Sequence, residues 1–391
     1  MKKILIFVIL ILMLYPITAY GDDKKEEIDG SIYSEQTKSI DTKKIEYYIN
    51  KLNGETSDYL PSLNFNSFID IFRTGQVNYS FNDILLGILR YFLNDVLLNT
   101  KLLGELVVLT IICAVLQNLE KAFENDNVSN LAYFACYLVL IIIIVKTFTV
   151  AIGIGRDTIN SMVDFMIALL PTLLALLISV GGFASASIFD PIIMIVVQVV
   201  SNIIRDFILP MIFLTAMLSI VNNFSDTFKV TKLAGLLKQV CIWVLGLTLT
   251  IFIGIITIRG ATSQTIDQVA VKTAKFAVDN FIPIIGKALS DAIGTIAGYS
   301  LILKDAISTV GLIALVIICV FPLIKIISMI FIYKIACALI EPIADKRIVN
   351  CLNDVGNSLI MIFASVLCVA VMFFIMVTII ASTGKMAVMA Q

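Results

Sequence analysis

The sequence predicts an all-α, polytopic integral membrane protein with about seven or eight transmembrane or re-entrant helices. Composition is the first reason. Hydrophobic residues make up 59% of the chain and charged residues 15%, at a mean hydropathy of +0.99. Soluble domains carry roughly 45–50% apolar and about 25% charged residues. The second reason is a nearly unbroken series of apolar windows, at 102–119, 131–151, 162–181, 191–221, 240–258, 306–333 and 355–382. Each is long enough, or nearly so, to cross hydrocarbon as a helix that satisfies its own backbone hydrogen bonds. The third is the lack of the two-residue alternation that a sheet or barrel requires.

At the amino terminus, Lys2 and Lys3 precede the apolar core ILIFVILILMLYPI, and Ala19-Tyr20-Gly21 follows. A basic start, an apolar core and small residues at the positions a signal peptidase inspects predict a signal peptide over 1–21, cleaved after Gly21. An uncleaved first helix is the alternative, although the apolar core is shorter than the ~20 residues that span hydrocarbon. Either way, 22–101 becomes an extracytoplasmic segment. It opens on DDKKEEIDG, too polar to order itself. It ends on FNDILLGILRYFLNDVL, whose apolar spacing predicts an amphipathic helix lying on the membrane, on a partner or on its own membrane domain.

Residues 102–391 form the multi-pass membrane domain. The windows at 306–333 and 355–382 exceed one span and must tilt, bend or project, with Pro322 as a bend in the first. The window at 191–221 carries Arg205-Asp206 in its middle. Two half-spans turning at that pair would keep it out of hydrocarbon, so a re-entrant hairpin is expected there. That hairpin leaves 222–239, with Lys229, Lys232 and Lys238, on the cytoplasmic side favoured for basic loops. If 282–303 does not cross, Lys346 and Arg347 fall on the same side, and the carboxyl terminus outside.

Between the fifth and sixth windows, 261–281 places Ile266, Ala270, Ala274, Ala277 and Phe281 along one side and Gln268, Lys272, Lys275 and Asp279 along another. This predicts an interfacial amphipathic helix. In the small-residue-rich helix 282–303, Gly286, Ser290, Gly294 and Gly298 recur every four residues, with Lys287 and Asp291 alongside, one turn apart. A ladder of small residues lets another helix approach closely. It is a candidate helix-packing or conduit seam, or simply tight packing within the chain.

Ionisable groups in hydrocarbon are costly, which makes them functional suspects. Glu105, Lys146 and Lys334 sit where they can snorkel. Asp164, Arg205, Asp206, Asp291 and Lys325 do not, and all but Asp291, already counted with the seam, form the candidate intramembrane polar set. Asp190-Pro191, after the small-residue stretch GGFASAS, and Phe281-Ile282-Pro283 interrupt apolar segments in the manner of secondary transporters. The two halves nonetheless share no recognisable repeat.

The absence of His removes His-based catalysis and the commonest neutral metal ligand. No P-loop, G-x-S-x-G, H-E-x-x-H or ligand-spaced Cys/Asp cluster occurs. The seven single cysteines, Cys113, Cys136, Cys241, Cys319, Cys337, Cys351 and Cys368, read as small buried hydrophobes. A net charge of -1 leaves no field for nucleic acid. Thus no enzyme, cofactor, metal or nucleic acid is expected, and membrane lipid is the first partner. On residues alone the chain reads as a polytopic transporter or channel subunit.

Three blocks carry a resemblance: LPTLLALLISVGGFASASIFDPI, TAKFAVDNFIPIIGKALSDAIGTIAGYSLILKDAISTVGLIALVIICVFPLIKI, and YKIACALIEPIADKRI. They cover Leu170 to Ile348 with gaps. With the signal peptide and short external segment, their order resembles the stage III sporulation protein AE family of spore-forming bacteria. The resemblance implies a membrane subunit on the mother-cell side of the channel, or feeding-tube, complex joining mother cell and forespore. The implied location is the mother-cell membrane around the forespore. The implied partners are other products of the same operon: a cytoplasmic secretion-type ATPase, small membrane proteins, and ring-forming proteins that meet a forespore membrane protein. No catalytic residues carry over. A stand-alone secondary transporter or channel for a small solute is the alternative.

Overall fold

The structure is a computed structural model that describes residues 81–122, 126–224, 230–281 and 286–383, together with Tyr47, Asn50 and Gly54. The expected signal peptide at 1–21 and nearly all of 22–80 lie outside these residues. The described helices are α1 (Phe81–Leu98), α2 (Thr100–Ala122), α3 (Asp126–Ser179), α4 (Phe183–Asn202), a π-helical segment (Ile203–Ile208), α5 (Leu209–Phe224), α6 (Thr231–Phe281), α7 (Gly286–Ile340) and α8 (Lys346–Ser382). No strand occurs among the described residues.

Among the described residues, six stretches are long and apolar enough to cross a membrane: Leu85–Leu116, Ala135–Ser179, Ser185–Asn223, Thr231–Ala270, Gly294–Ile340 and Lys346–Ser382. They are fewer and longer than the apolar windows suggest, because polar interludes expected to be loops remain helical. The windows 131–151 and 162–181 fuse into α3. The intervening GIGRDTINS contains no proline, and its inward side presents Gly155, Thr158 and Ile159 to the core. Thr158 returns its hydroxyl proton to the Ile154 carbonyl at 2.6 Å. In the same way, 261–281 continues the helix of the preceding window as the end of α6, and 286–303 continues into 306–333 as α7.

The expected hairpin at Arg205-Asp206 is absent. Helical backbone runs from α4 through the π-helical segment into α5, and the flanking Asn202, Ile203 and Leu209 all have right-handed helical dihedrals. The charge pair stays in the helix because it is satisfied there by neighbours. Asp190-Pro191 likewise fails to interrupt the chain, since Pro191 lies inside α4. Residues 282–285, which include the second expected interruption at Pro283, lie outside the described residues.

The tight turn between α3 and α4 is made by the glycine pair of GGFASAS. Gly181 has φ 93°, which favours glycine. Gly182 donates its amide to the Leu177 carbonyl at 2.9 Å, and a Cβ there would come within 2.7 Å of the Leu177 side chain.

The core is built on α7 and α8, joined by a turn that Asp345 closes. Its carboxylate accepts the Arg347 amide at 2.8 Å as the N-cap of α8. The two helices run antiparallel: Lys334 meets Asn353 and Asn357, and Lys304 meets the last turn of α8. α3 packs into both. At Gly311 of α7 the approach is so close that a Cβ would stand 2.6 Å from Leu169 Cδ2. At Gly155 of α3, a Cβ would stand 3.2 Å from Ile362 and 3.3 Å from Val366 of α8. Hydroxyls throughout the bundle donate to the carbonyl one turn back, as at Thr110, Thr147, Thr215 and Ser365. Such bonds let polar residues sit in apolar helices without any further role.

α1 packs against its own membrane domain. Tyr91 meets Phe321 edge-on at 4.6 Å, Phe92 meets Phe331 at 5.8 Å, and the Asp95 carboxylate accepts the Ser328 hydroxyl.

Candidate functional site

Two polar layers bracket the bundle. In the first, the Lys334 ammonium donates to Asn353 Oδ1 at 2.7 Å and Asn357 Oδ1 at 3.0 Å. Close by along α8, Asn223 donates to Asp354 at 3.1 Å. Lys334 is therefore held by α8, in contrast to the snorkelling expected of it. In the second layer, Lys304 is fully buried and donates to the Thr383 carbonyl, with the Ile380 carbonyl at 3.5 Å. An ammonium on the last carbonyls of a helix meets the negative end of its dipole. From Asn357 to Ile380 the helix climbs roughly 35 Å at about 1.5 Å per residue. That length is close to the ~30 Å of a hydrocarbon core.

Between these layers lies a charged patch on the outside of α3 and the π-helical segment. Arg205 places Nε 2.8 Å from Asp206 Oδ1 and Nη2 2.8 Å from Oδ2, a two-pronged pair with its chain neighbour. Its remaining donors reach Asn160 Oδ1 on α3 and Asn202 Oδ1 on α4, both at 2.9 Å. The π-helical turn carries the adjacent Arg205 and Asp206 at the joint of α4 and α5, and such turns are frequent at functional sites. Arg156 stands within Coulombic reach of Asp206. On α3, Arg156, Asp157, Asn160 and Asp164 recur at helical spacing on the outward side, all exposed except the half-buried Asn160. The level is fixed by Gly155, whose inward side faces Ile362 and Val366 near the middle of α8 and Leu209 of α5.

The patch faces away from the bundle, with side-chain exposures of 30% for Arg205 and 54% for Asp206. Among the described residues, Asp157 and Asp164 have neither an ion pair nor a side-chain hydrogen bond. A charged group at the centre of a span costs about 2.5–3.5 kcal/mol on insertion scales. Several such groups on one side of the span call for water or protein against this face in place of lipid.

From the sequence-predicted set, Arg205 and Asp206 pair with each other, and Asp164 lies one turn beyond Asn160 on the same exposed side of α3. Lys325 is exposed on α7; its carbonyl accepts the Ser328 hydroxyl at 2.9 Å, while its ammonium has no hydrogen bond or ion pair among the described residues. The small-residue ladder lies elsewhere. Gly286, Lys287, Ser290 and Asp291 fall in the opening turns of α7, and their side chains lie outside the described residues. Gly294 and Gly298 are half-exposed, on the part of α7 that precedes Lys304 and so runs past the end of α8. A Cβ at Gly298 would meet nothing within 4 Å, so among the described residues that rung is not used for close packing.

Two buried ionisable residues escaped the sequence reading. One is Lys304, which sits in the gap between two apolar segments and reads there as a boundary. The other is Asp267, 2% exposed within the stretch expected to lie at the interface. Its carboxylate accepts the Ser185 amide at 3.2 Å and the Ser185 hydroxyl, and so caps the first turn of α4. The signal for both was an ionisable residue beside an apolar run, which does not say what it will meet.

Among the described residues no group of His, Cys, Asp and Glu is arranged to hold a metal.

Six long apolar helices and a charged patch within their span define a polytopic α-helical membrane protein. The family model described as stage III sporulation protein AE matches residues 63–384. The stage III sporulation protein AE of Bacillus subtilis (strain 168) is 39% identical over 351 residues, covering 90% of this chain and 88% of that protein. The chain belongs to the stage III sporulation protein AE family, and the family supports a role in sporulation alongside other sporulation proteins. No solved structure matches it.

Proposed function

We propose that the protein is a membrane subunit of the mother cell–forespore channel complex needed for endospore development after engulfment. Its role there is structural or conduit-forming, in the mother-cell membrane around the forespore. The observation that carries this reading is the outward-facing charged patch of Arg156, Asp157, Asn160, Asp164, Arg205 and Asp206 within the span. A protein that worked alone in lipid would gain by burying or losing these charges; a subunit covers them with protein or water. The ladder at Gly286, Ser290, Gly294 and Gly298 is a second surface for helix assembly, since Gly298 has room that none of the described residues fills. The partners are other stage III operon proteins: a secretion-type ATPase on the cytoplasmic side, small membrane proteins, and ring-forming proteins leading to a forespore membrane protein.

Sidedness follows from counting. Six single crossings from an external amino-terminal segment place 224–230 in the cytoplasm, the side that Lys229, Lys232 and Lys238 favour. The fused α3 and the uninterrupted α4–α5 each change the count by one crossing relative to the sequence reading, and the two changes cancel. Val230→Cys is therefore expected to resist an impermeant maleimide in intact vegetative cells expressing the protein and to react once the membrane is opened. Labelling in intact cells would reverse this orientation.

Deletion of the gene, followed by membrane-dye microscopy of sporulating cells, tests the proposal. Arrest after engulfment, with small or collapsing forespores and normal vegetative growth, is expected. Normal spores combined with a solute or ion defect in growing cells would instead identify a stand-alone transporter.

A further inference from the structure

We propose that the charged patch at mid-span is a contact between two copies of this chain, lying side by side in the same membrane. The step rests on the reading that the protein works in an assembly, and it names one partner in that assembly. The argument begins with orientation. Copies inserted the same way are related by an axis along the membrane normal, so residues of equal depth meet each other. A patch of one sign would then repel itself. This patch has both signs at one level: Arg156 beside Asp157 on α3 and Arg205 beside Asp206 on the π-helical segment.

Neighbouring residues on a helix differ in height by about 1.5 Å. Arg156 of one copy can therefore reach Asp157 of the other, while its own Asp157 receives the other copy's Arg156. The two cross-pairs form together. Arg205 is already engaged by Asp206, Asn160 and Asn202, whereas Asp157 has no ion pair among the described residues. Arg156 feels its own Asp206 at Coulombic range but makes no hydrogen bond or ion pair among the described residues, so Arg156 and Asp157, both exposed, are the pair with donors and acceptors left for a partner. The approach is open as well, because a Cβ added at Gly153, one turn before Arg156 on α3, would meet nothing within 4 Å.

Cross-linking in native membranes tests the contact with the full chain. Gly153→Cys is expected to give a disulfide-linked dimer under mild oxidation. Ile242→Cys, exposed on α6, is expected to give none beyond the background of the native cysteines. Arg156→Asp and Asp157→Arg, each added to Gly153→Cys, should lose the dimer by placing like charges opposite each other. The double change Arg156→Asp/Asp157→Arg restores both cross-pairs with reversed polarity and should restore the dimer, which also separates lost contact from lost folding. Absence of the Gly153→Cys dimer, equal cross-linking at Ile242→Cys, or a double variant that stays uncoupled would each overturn the proposal. The deletion phenotype is read independently. Failure of self-association beside a normal arrest phenotype removes the second copy and leaves the sporulation role intact.

Discussion

Gly311→Leu is expected to prevent stable folding, while Gly298→Leu leaves the isolated protein's melting temperature unchanged. Both positions are glycines on the apolar helix α7, and sequence spacing favoured Gly298 as a packing position. Their surroundings are opposite. A Cβ at Gly311 would lie 2.6 Å from Leu169 Cδ2 and 3.1 Å from Leu169 Cδ1, across the seam between α7 and α3. Leu169 is fully buried, so it has nowhere to turn. A full leucine side chain there must push α3 away from the core, at about 3 kcal/mol, the upper end of ordinary overpacking, or more. A Cβ at Gly298 meets nothing within 4 Å. The check is thermal unfolding in detergent together with the amount of protein accumulating in membranes. Wild-type melting of Gly311→Leu would mean that α3 and α7 are not held together at Leu169. Melting of Gly298→Leu as low as that of Gly311→Leu would mean that the ladder packs within the chain. If Gly298→Leu melts normally but purifies without partners, the ladder serves assembly.

The class of fold was legible in the sequence because hydrophobicity alone decides it. A chain with 59% hydrophobic residues has no soluble solution, and helices are the structures that close their own backbone hydrogen bonds in lipid without a barrel. Where helices begin and end was less legible. GIGRDTINS between two windows has the composition of a loop, yet Gly155 supplies close approach to α8 and Thr158 bonds back to Ile154, so a continuous helix satisfies both faces. Arg205-Asp206 looked like a turning point because a charge pair in hydrocarbon is costly in isolation. Asn160 and Asn202 make it affordable, and Asn160 lies forty-five residues away in sequence. Depth was not legible at all. Asp267 and Lys304 became caps of α4 and α8 because distant segments brought helix ends to them, information that local periodicity does not contain.

The second large effect is expected at Arg205, where stability and function should separate. Arg205→Leu removes the guanidinium that serves Asp206, Asn160 and Asn202 together. It leaves a carboxylate within the span without its counter-ion, at a cost of about 2.5–3.5 kcal/mol, and the single variant should accumulate poorly. Arg205→Leu/Asp206→Leu removes both charges. Replacing an ion pair by apolar residues of similar size is often neutral or stabilising, so the double variant should regain wild-type accumulation and melting. A patch that is only structural then predicts normal spores from the double variant. A patch that meets protein or water in a sporulation complex predicts a stable protein in the membrane and a spore yield as low as that of the deletion. Measuring protein level and heat-resistant spore counts in the same cultures decides between them. Normal counts with normal protein would remove Arg205 and Asp206 from the functional surface and leave Arg156, Asp157 and Asp164 to account for it.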